Sequence, residues 1–219
     1  EPVGIDEAYL EVTGFESLHG TLEVMGEQIR KRICEDIGIT ASIGLASSKI
    51  VAKVASKAAK PDGLLEVPEG TEAAFLAPLL ISKMPGIGEQ TAKILHGLGV
   101  KTLGELARLP ISTLTDRFGT YGEVLHDHAL GIDGRPVEPP SEAKSVSHET
   151  TLNEDTLDRD FLDATLRYLS EKVGARLRRY GQKGSVVQIC LRFADFTTIT
   201  RQRSLGFATD ANEVIYDEA

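Results

Sequence analysis

The sequence predicts an α+β chain of more than one domain, on three observations. Residues 1–70 alternate strand-like and helix-like segments, the order of an α/β layer. Residues 71–132 read as all-helical and are punctuated by glycine. A proline-rich stretch at 133–144, DGRPVEPPSEAK, then separates these from a β-α-β-β pattern over 145–219. A length of 219 residues gives each part enough chain for its own core.

The elements follow in order. Val3 to Val12 reads as a strand, and Gly20 to Asp36 as a helix with Leu22, Met25, Ile29 and Ile33 on one face. Ile39 to Leu45 alternates as a short strand. Ser47 or Ser48 can cap the next helix, whose stripe is Ile50, Val51, Val54, Ala55 and Ala58. Pro61 stops that helix, and Asp62-Gly63 turns the chain into a strand at 64–67. Further on, Thr102 and Glu105 form a capping box for a short helix that ends before Pro110. Past the proline stretch, Ser145 to Leu152 reads as a strand. A helix near 157–180 follows, with Leu162, Leu166, Leu169, Val173 and Leu177 in register. Val186 to Phe193 and Phe196 to Leu205 pair as a hairpin through Ala194-Asp195, and another helix begins after Asp210.

Composition narrows the function. No apolar run approaches the roughly 20 residues that span a bilayer, and no signal-peptide pattern opens the chain. Cys34 and Cys190 stand far apart without metal-ligand spacing, which fits a reducing compartment and excludes a disulfide scaffold. With 24 Lys plus Arg against 33 Asp plus Glu, the formal charge is −9, which taken whole argues against a nucleic-acid partner. The distribution reverses that argument. Ile37 to Pro61 contains no acid but four lysines, and Arg167 to Arg203 carries nine basic residues against two acids. Screening over about 8 Å makes such local patches, rather than the total, decide what a surface attracts.

Four groups of residues carry candidate chemistry. Pro85-Gly86-Ile87-Gly88, between Ile81 and Met84 on one side and Ala92 and Leu95 on the other, matches a helix-hairpin-helix. Its second helix would aim backbone N–H groups at a phosphate without reading sequence; a plain glycine turn between packed helices is the alternative. Lys49, Lys53 and Lys57 recur every four residues, so they line one side of a helix, with Lys60 at its end. Such a row suits a polyanion or a triphosphate, and equally a solvated face. Asp6 and Glu7 could hold Mg²⁺ if a strand end, turn or bulge brought both to one site; otherwise they are a surface acid pair. Arg201 and Arg203 share a strand face, read here together with Thr198 and Thr200, and would suit phosphate contacts.

These residues together resemble a known family. Gly4-Ile5-Asp6-Glu7-Ala8-Tyr9-Leu10 resembles the carboxylate motif of the Y-family translesion DNA polymerases, S-[IV]-D-E-[AV]-[YF]-L. Thr40 to Lys49 and Ala58 to Gly63 resemble the second signature, S-x-G-[IL]-[AS]-x-N-K…A-x-K-P-x-G. The Pro85 to Gly88 hairpin is similar to that family's thumb, and Lys144 to Thr151 to the opening strand of its little finger domain. Order and spacing agree over the whole chain, and the bacterial DNA polymerase IV branch fits best. Gly4 stands where the motif has Ser, and Ser48 where it has Asn.

The resemblance implies a partial α/β palm at 1–70, an all-helical thumb at 71–132, a linker at 133–144 and a little finger at 145–219. Asp6 and Glu7 become catalytic carboxylates and Mg²⁺ ligands, and Lys60 the lysine that binds the triphosphate of the incoming dNTP. Gly86, Gly88, Thr91 and Lys93 would hold phosphates of the primer–template DNA from the thumb. Ser145, Arg201 and Arg203 would hold them from the little finger. It also implies a bacterial cytoplasmic enzyme that joins a sliding clamp through a peptide outside these residues. Glu1 in place of Met, and the absence of the family's first aspartate, steric gate and fingers, lead us to expect part of a longer polymerase, inactive alone but DNA-binding. A non-catalytic helix-hairpin-helix repair module, and an acidic α/β domain with no nucleic-acid role, are the competing readings.

Overall fold

A computed structural model describes all 219 residues, which divide into two compact units, Glu1–Pro140 and Ser141–Ala219. In the first unit, α1 (Glu16–His19) and α2 (Leu22–Ile37) precede a parallel βαβ element. Its strands β1 (Ile43–Leu45) and β2 (Leu64–Glu66) pair Ile43 with Leu64 and Leu45 with Glu66, and α3 (Lys49–Ala58) crosses between them. Gly44 makes that crossover tight. A Cβ there would lie 2.0 Å from the Ala52 carbonyl oxygen, so α3 packs with its backbone against β1. Ser48 caps α3 by accepting from Val51 N–H, and its hydroxyl donates to the Gly131 carbonyl at 2.9 Å.

Helices then follow in short pieces: α4 (Glu72–Leu76), a 3₁₀ turn at Ile81–Lys83, α5 (Glu89–Gly97), α6 (Leu103–Ala107), α7 (Ile111–Phe118) and α8 (Tyr121–Ala129). The capping box on α6 is present, with Glu105 reaching back to Thr102 N–H. The apolar faces of these helices close one core that also takes in Ile50, Val51, Val54 and Ala55 of α3. Packing therefore runs across the boundary expected at residue 70.

The second unit holds α9 (Arg159–Arg179), the antiparallel strands β3 (Gly184–Arg192) and β4 (Thr198–Thr209), and α10 (Asn212–Asp217). Asp158 caps α9, and α10 packs on α9, with the Tyr216 hydroxyl bonded to Asp163 and its ring centre 4.2 Å from the Arg167 guanidinium, while Leu177 and Ile215 are buried. Register shifts between Gly184 and Val186, where Thr209 and Ser204 are the partners, so β4 arches over residues 205–208. No helix of the chain is long and apolar enough to cross a membrane.

Two expected strands do not form. Val3 to Val12 bends back on itself, with an isolated Pro2–Ala8 bridge and Val3 N–H donating to the Glu7 carbonyl at 2.9 Å. Ser145 to Leu152 joins no ladder, so the second unit is α-β-β-α rather than β-α-β-β. A strand exists only through a partner's backbone, and β1–β2 and β3–β4 are each closed pairs of two.

Candidate functional site

The bend at the start of the first unit places Asp6 and Glu7 at a turn, both exposed, rather than on opposite faces of a strand. Gly4 leaves room beside them: a Cβ there would meet Asp6 Oδ1 at an ordinary 3.9 Å. Glu7 is ion-paired with Lys53, whose ammonium holds the carboxyl below the usual glutamate range. The charges of Lys60 and Lys57 act in the same direction from farther along the α3 row.

The lysine row is therefore partly used. Lys49, 11% exposed, bonds Glu1 at 2.5 Å, donates to the Pro136 carbonyl at 3.1 Å, and lies 5.2 Å from the centre of the Tyr9 ring. Glu1 also accepts from Glu138 N–H, so residues 136–138 are held against the turn and α3. Asp133, with its side chain 1% exposed, is clamped by Arg135 through two bonds of 2.7 Å. Lys57 and Lys60 remain exposed.

Two carboxylates adjacent in the turn, Asp6 and the lysine-paired Glu7, fit part of a Mg²⁺ site, because that ion accepts oxygen ligands and keeps waters or phosphate oxygens for the remainder. The fit is incomplete within this chain, where no three His, Cys, Asp or Glu side chains converge.

The hairpin at Pro85–Gly88 stands on the buried side chains of Met84 and Ile87. Gly86 adopts φ +90°, which favours glycine, and Gly88 sits at the start of α5 with open space around it. Thr91 lies in the first turn of α5, half-buried, and Lys93 is exposed on the following turn. Glu89 shares the first turn and opposes an anion there. In the second unit, Ser145 is exposed outside any element. Arg201 and Arg203 share the β4 face that carries Ile199, opposite Ile189 and Val187 of β3. Thr198 and Thr200 have the other parity and lie on the reverse face, so the expected arginine–threonine face is corrected to arginine–isoleucine. Arg203 is paired with Glu218 at 2.9 Å.

The structure thus brings Glu7 into one cluster with Lys53 and the lysine row, and sets Gly86 and Gly88 in the turn that leads into α5, which carries Thr91 and Lys93. Sequence reasoning missed Glu1, Tyr9, Arg135 and Tyr121. Tyr121 donates its hydroxyl to the Gly86 carbonyl at 3.0 Å across 35 residues, a separation that leaves no local pattern.

Comparison with known proteins gives three matching family models. The impB/mucB/samB family matches residues 1–57, its C-terminal domain matches 143–219, and the DNA polymerase-iota thumb domain matches 82–133. A DNA polymerase IV of Dehalococcoides mccartyi (strain CBDB1) is 57% identical over the whole chain, which covers 56% of that relative. One from Desulfatibacillum aliphaticivorans is 40% identical, again over the whole chain and 55% of the relative. The chain thus spans about half the length of the curated relatives it matches. Among solved structures, a Y-family DNA polymerase chimera, Dbh-Dpo4(243-245)-Dbh, superposes with a TM-score of 0.81 at 25% identity, over 100% of this chain and 64% of that one. An insertion ternary complex of Dbh DNA polymerase, 22% identical, gives 0.59 over 93% of this chain and 60% of that one, and shares the fold.

Proposed function

We propose that this chain is part of a Y-family DNA polymerase, and that it supplies the catalytic carboxylates and most of the DNA grip of a bacterial translesion enzyme, on the strength of the family models and relatives it matches. In that reading residues 1–70 are palm, 71–132 thumb, 133–144 linker and 145–219 little finger. The reaction joins a dNTP to a primer 3′-hydroxyl with release of pyrophosphate, in the cytoplasm, with a sliding clamp as partner of the longer protein.

The observation that carries this reading is the turn that exposes Asp6 and Glu7 and pairs Glu7 with Lys53 of the lysine row, in the same unit as the helix-hairpin-helix. Asp6 and Glu7 would hold Mg²⁺, which when bound acidifies the attacking hydroxyl and neutralises the triphosphate. Every other task falls to this chain's own groups. Lys60 draws in the triphosphate by charge. The free N–H groups at Gly88 to Thr91 and the Lys93 ammonium hold backbone phosphates, and Ser145, Arg201 and Arg203 do so from the second unit. Nothing in this set reads base edges, so grip is independent of sequence. For Arg203 a phosphate must displace Glu218.

A non-catalytic DNA-binding module is the second reading, favoured by the Glu7–Lys53 pair and the lack of a third ligand. Both readings require duplex binding, which an acidic domain with no nucleic-acid role would lack. The test is a salt titration of the 219-residue chain on a primer–template duplex. Several phosphate contacts give a log Kd–log salt line whose slope changes by about 0.9 per contact. A weak, flat response would overturn both. By itself the chain is expected to show no Mg²⁺-dependent primer extension.

A further inference from the structure

We infer that Tyr121 is the positioning residue of the hairpin: its hydroxyl fixes the Gly86 turn and so sets the direction in which α5 presents its N–H groups to a phosphate. This rests on the reading of the hairpin as a phosphate grip and adds a residue from a different helix to it.

The geometry runs through three contacts. Gly122 packs against the Leu114 backbone so closely that a Cβ would lie 2.5 Å from the Leu114 carbonyl carbon, which locks the start of α8 onto α7. Leu114 and Leu125 are buried at 0% and 1% exposure, so this junction belongs to the rigid core. Tyr121, the residue before Gly122, is thereby held with its ring against the hairpin and donates to the Gly86 carbonyl at 3.0 Å. Gly86 in turn has φ +90°, and a Cβ on it would come within 2.8 Å of the Tyr121 hydroxyl. Glycine is thus required there by conformation and by the approach of the tyrosine. A phenol is protonated at neutral pH, and burial pushes the Tyr121 group further in that direction, so its hydroxyl is available as the donor.

The consequence is directional. Gly88 opens α5 with open space on its outer side, so the protein presents nothing there that would hold the turn in place. Met84 and Ile87 anchor the turn from within, and the Tyr121 bond restrains the peptide between them. The Gly86–Ile87 peptide is held on its N–H side by the Met84 carbonyl at 3.2 Å and on its C=O side by Tyr121, so without the tyrosine bond one restraint remains and the N–H groups that follow are less firmly aimed. A helix terminus aimed by a fixed turn binds a phosphate more tightly than one that must first be ordered.

The test uses Tyr121→Phe, which removes only the hydroxyl, in the 219-residue chain. Duplex affinity is expected to fall about 2- to 10-fold, the range of one net hydrogen bond. The salt slope is expected to shrink by about 0.9, one phosphate contact. Hydrogen exchange should accelerate at Gly86 to Gly88 and stay unchanged at Leu103 and Leu114. Gly86→Ala alone should also weaken binding, and adding Tyr121→Phe to it should cost nothing further, since both act on one turn. Unchanged affinity and slope, additive losses, or acceleration of the core amides would each overturn the role assigned to Tyr121. If the unsubstituted chain itself binds without a salt slope, the phosphate-grip reading fails first, a result distinct from Tyr121→Phe matching a chain that does show the slope.

Discussion

Residues 71–132 and the second unit, 141–219, are of similar length and end with opposite interiors. The helical region holds Leu76, Ile81, Leu95, Leu103, Leu106, Leu114 and Leu125 at 1% exposure or less. The second unit buries Leu177 and Ile215 at 7% and 8%, while Val186, Phe193 and Phe207 stay about half exposed or more. Helices satisfy their backbone polar groups internally, so a few short ones can turn their apolar stripes together and close a core. A two-stranded sheet satisfies one edge of each strand and leaves two edges and two faces to find partners. The basic run from Arg167 to Arg203 lies in this open unit, while the precise turn at Gly86 stands on the closed core. The grip proposed for the many exposed charges and the grip proposed for the fixed turn would thus sit on different kinds of support.

The contrast can be broken most directly in the cores. Leu103→Ala should cost about 2–5 kcal/mol in urea unfolding of the first unit, because the cavity has no solvent to fill it. Leu191→Ala, at a position 45% exposed on β3, should cost under about 1 kcal/mol. Equal losses would mean that the hairpin has a packed face after all.

A smaller effect sharpens the same difference through glycine. Gly44→Ala drives a methyl into the Ala52 carbonyl and should cost about 1–3 kcal/mol or more in a thermal melt. Gly206→Ala on β4 meets nothing within 4 Å and should leave the melt within about 0.5 kcal/mol of the parent.

The smallest effect lies in the pH dependence at the turn. Lys53 lowers the folded pKa of Glu7, so the pair contributes stability above the unfolded glutamate range near 4.5 and loses it as pH falls through the folded value. Both side chains are substantially exposed, so solvent keeps this contribution small. Lys53→Met should move the Glu7 titration upward, read by NMR of its carboxyl carbon. An unmoved titration would remove Lys53 from the site.

Much of this was legible in the sequence where the cause is local. Ser48 and the Thr102–Glu105 box announce helix starts because a cap involves residues three apart. The stripe on α3 announces its buried face in the same way. Val3 to Val12 has strand composition, yet strand composition does not supply the neighbour a ladder needs, and the segment folds into a turn instead. At the site, the spacing of Lys49, Lys53 and Lys57 marks a row, but which lysine is occupied depends on Glu1 and Pro136, 48 and 87 residues from Lys49. Tyr121 is hidden for the same reason. The parity of Arg201 and Arg203 was readable, and so was that of the threonines, which places them on the reverse face.

The reading proposed for this chain makes Asp6 and Glu7 the catalytic carboxylates of a longer polymerase and gives the remaining site residues the grip on DNA. It is tested by exchanging this chain for the matching segment of the 57% identical D. mccartyi polymerase and measuring primer extension and duplex affinity with and without Asp6→Ala. The account predicts loss of extension with duplex affinity nearly unchanged. Extension that survives Asp6→Ala would contradict it.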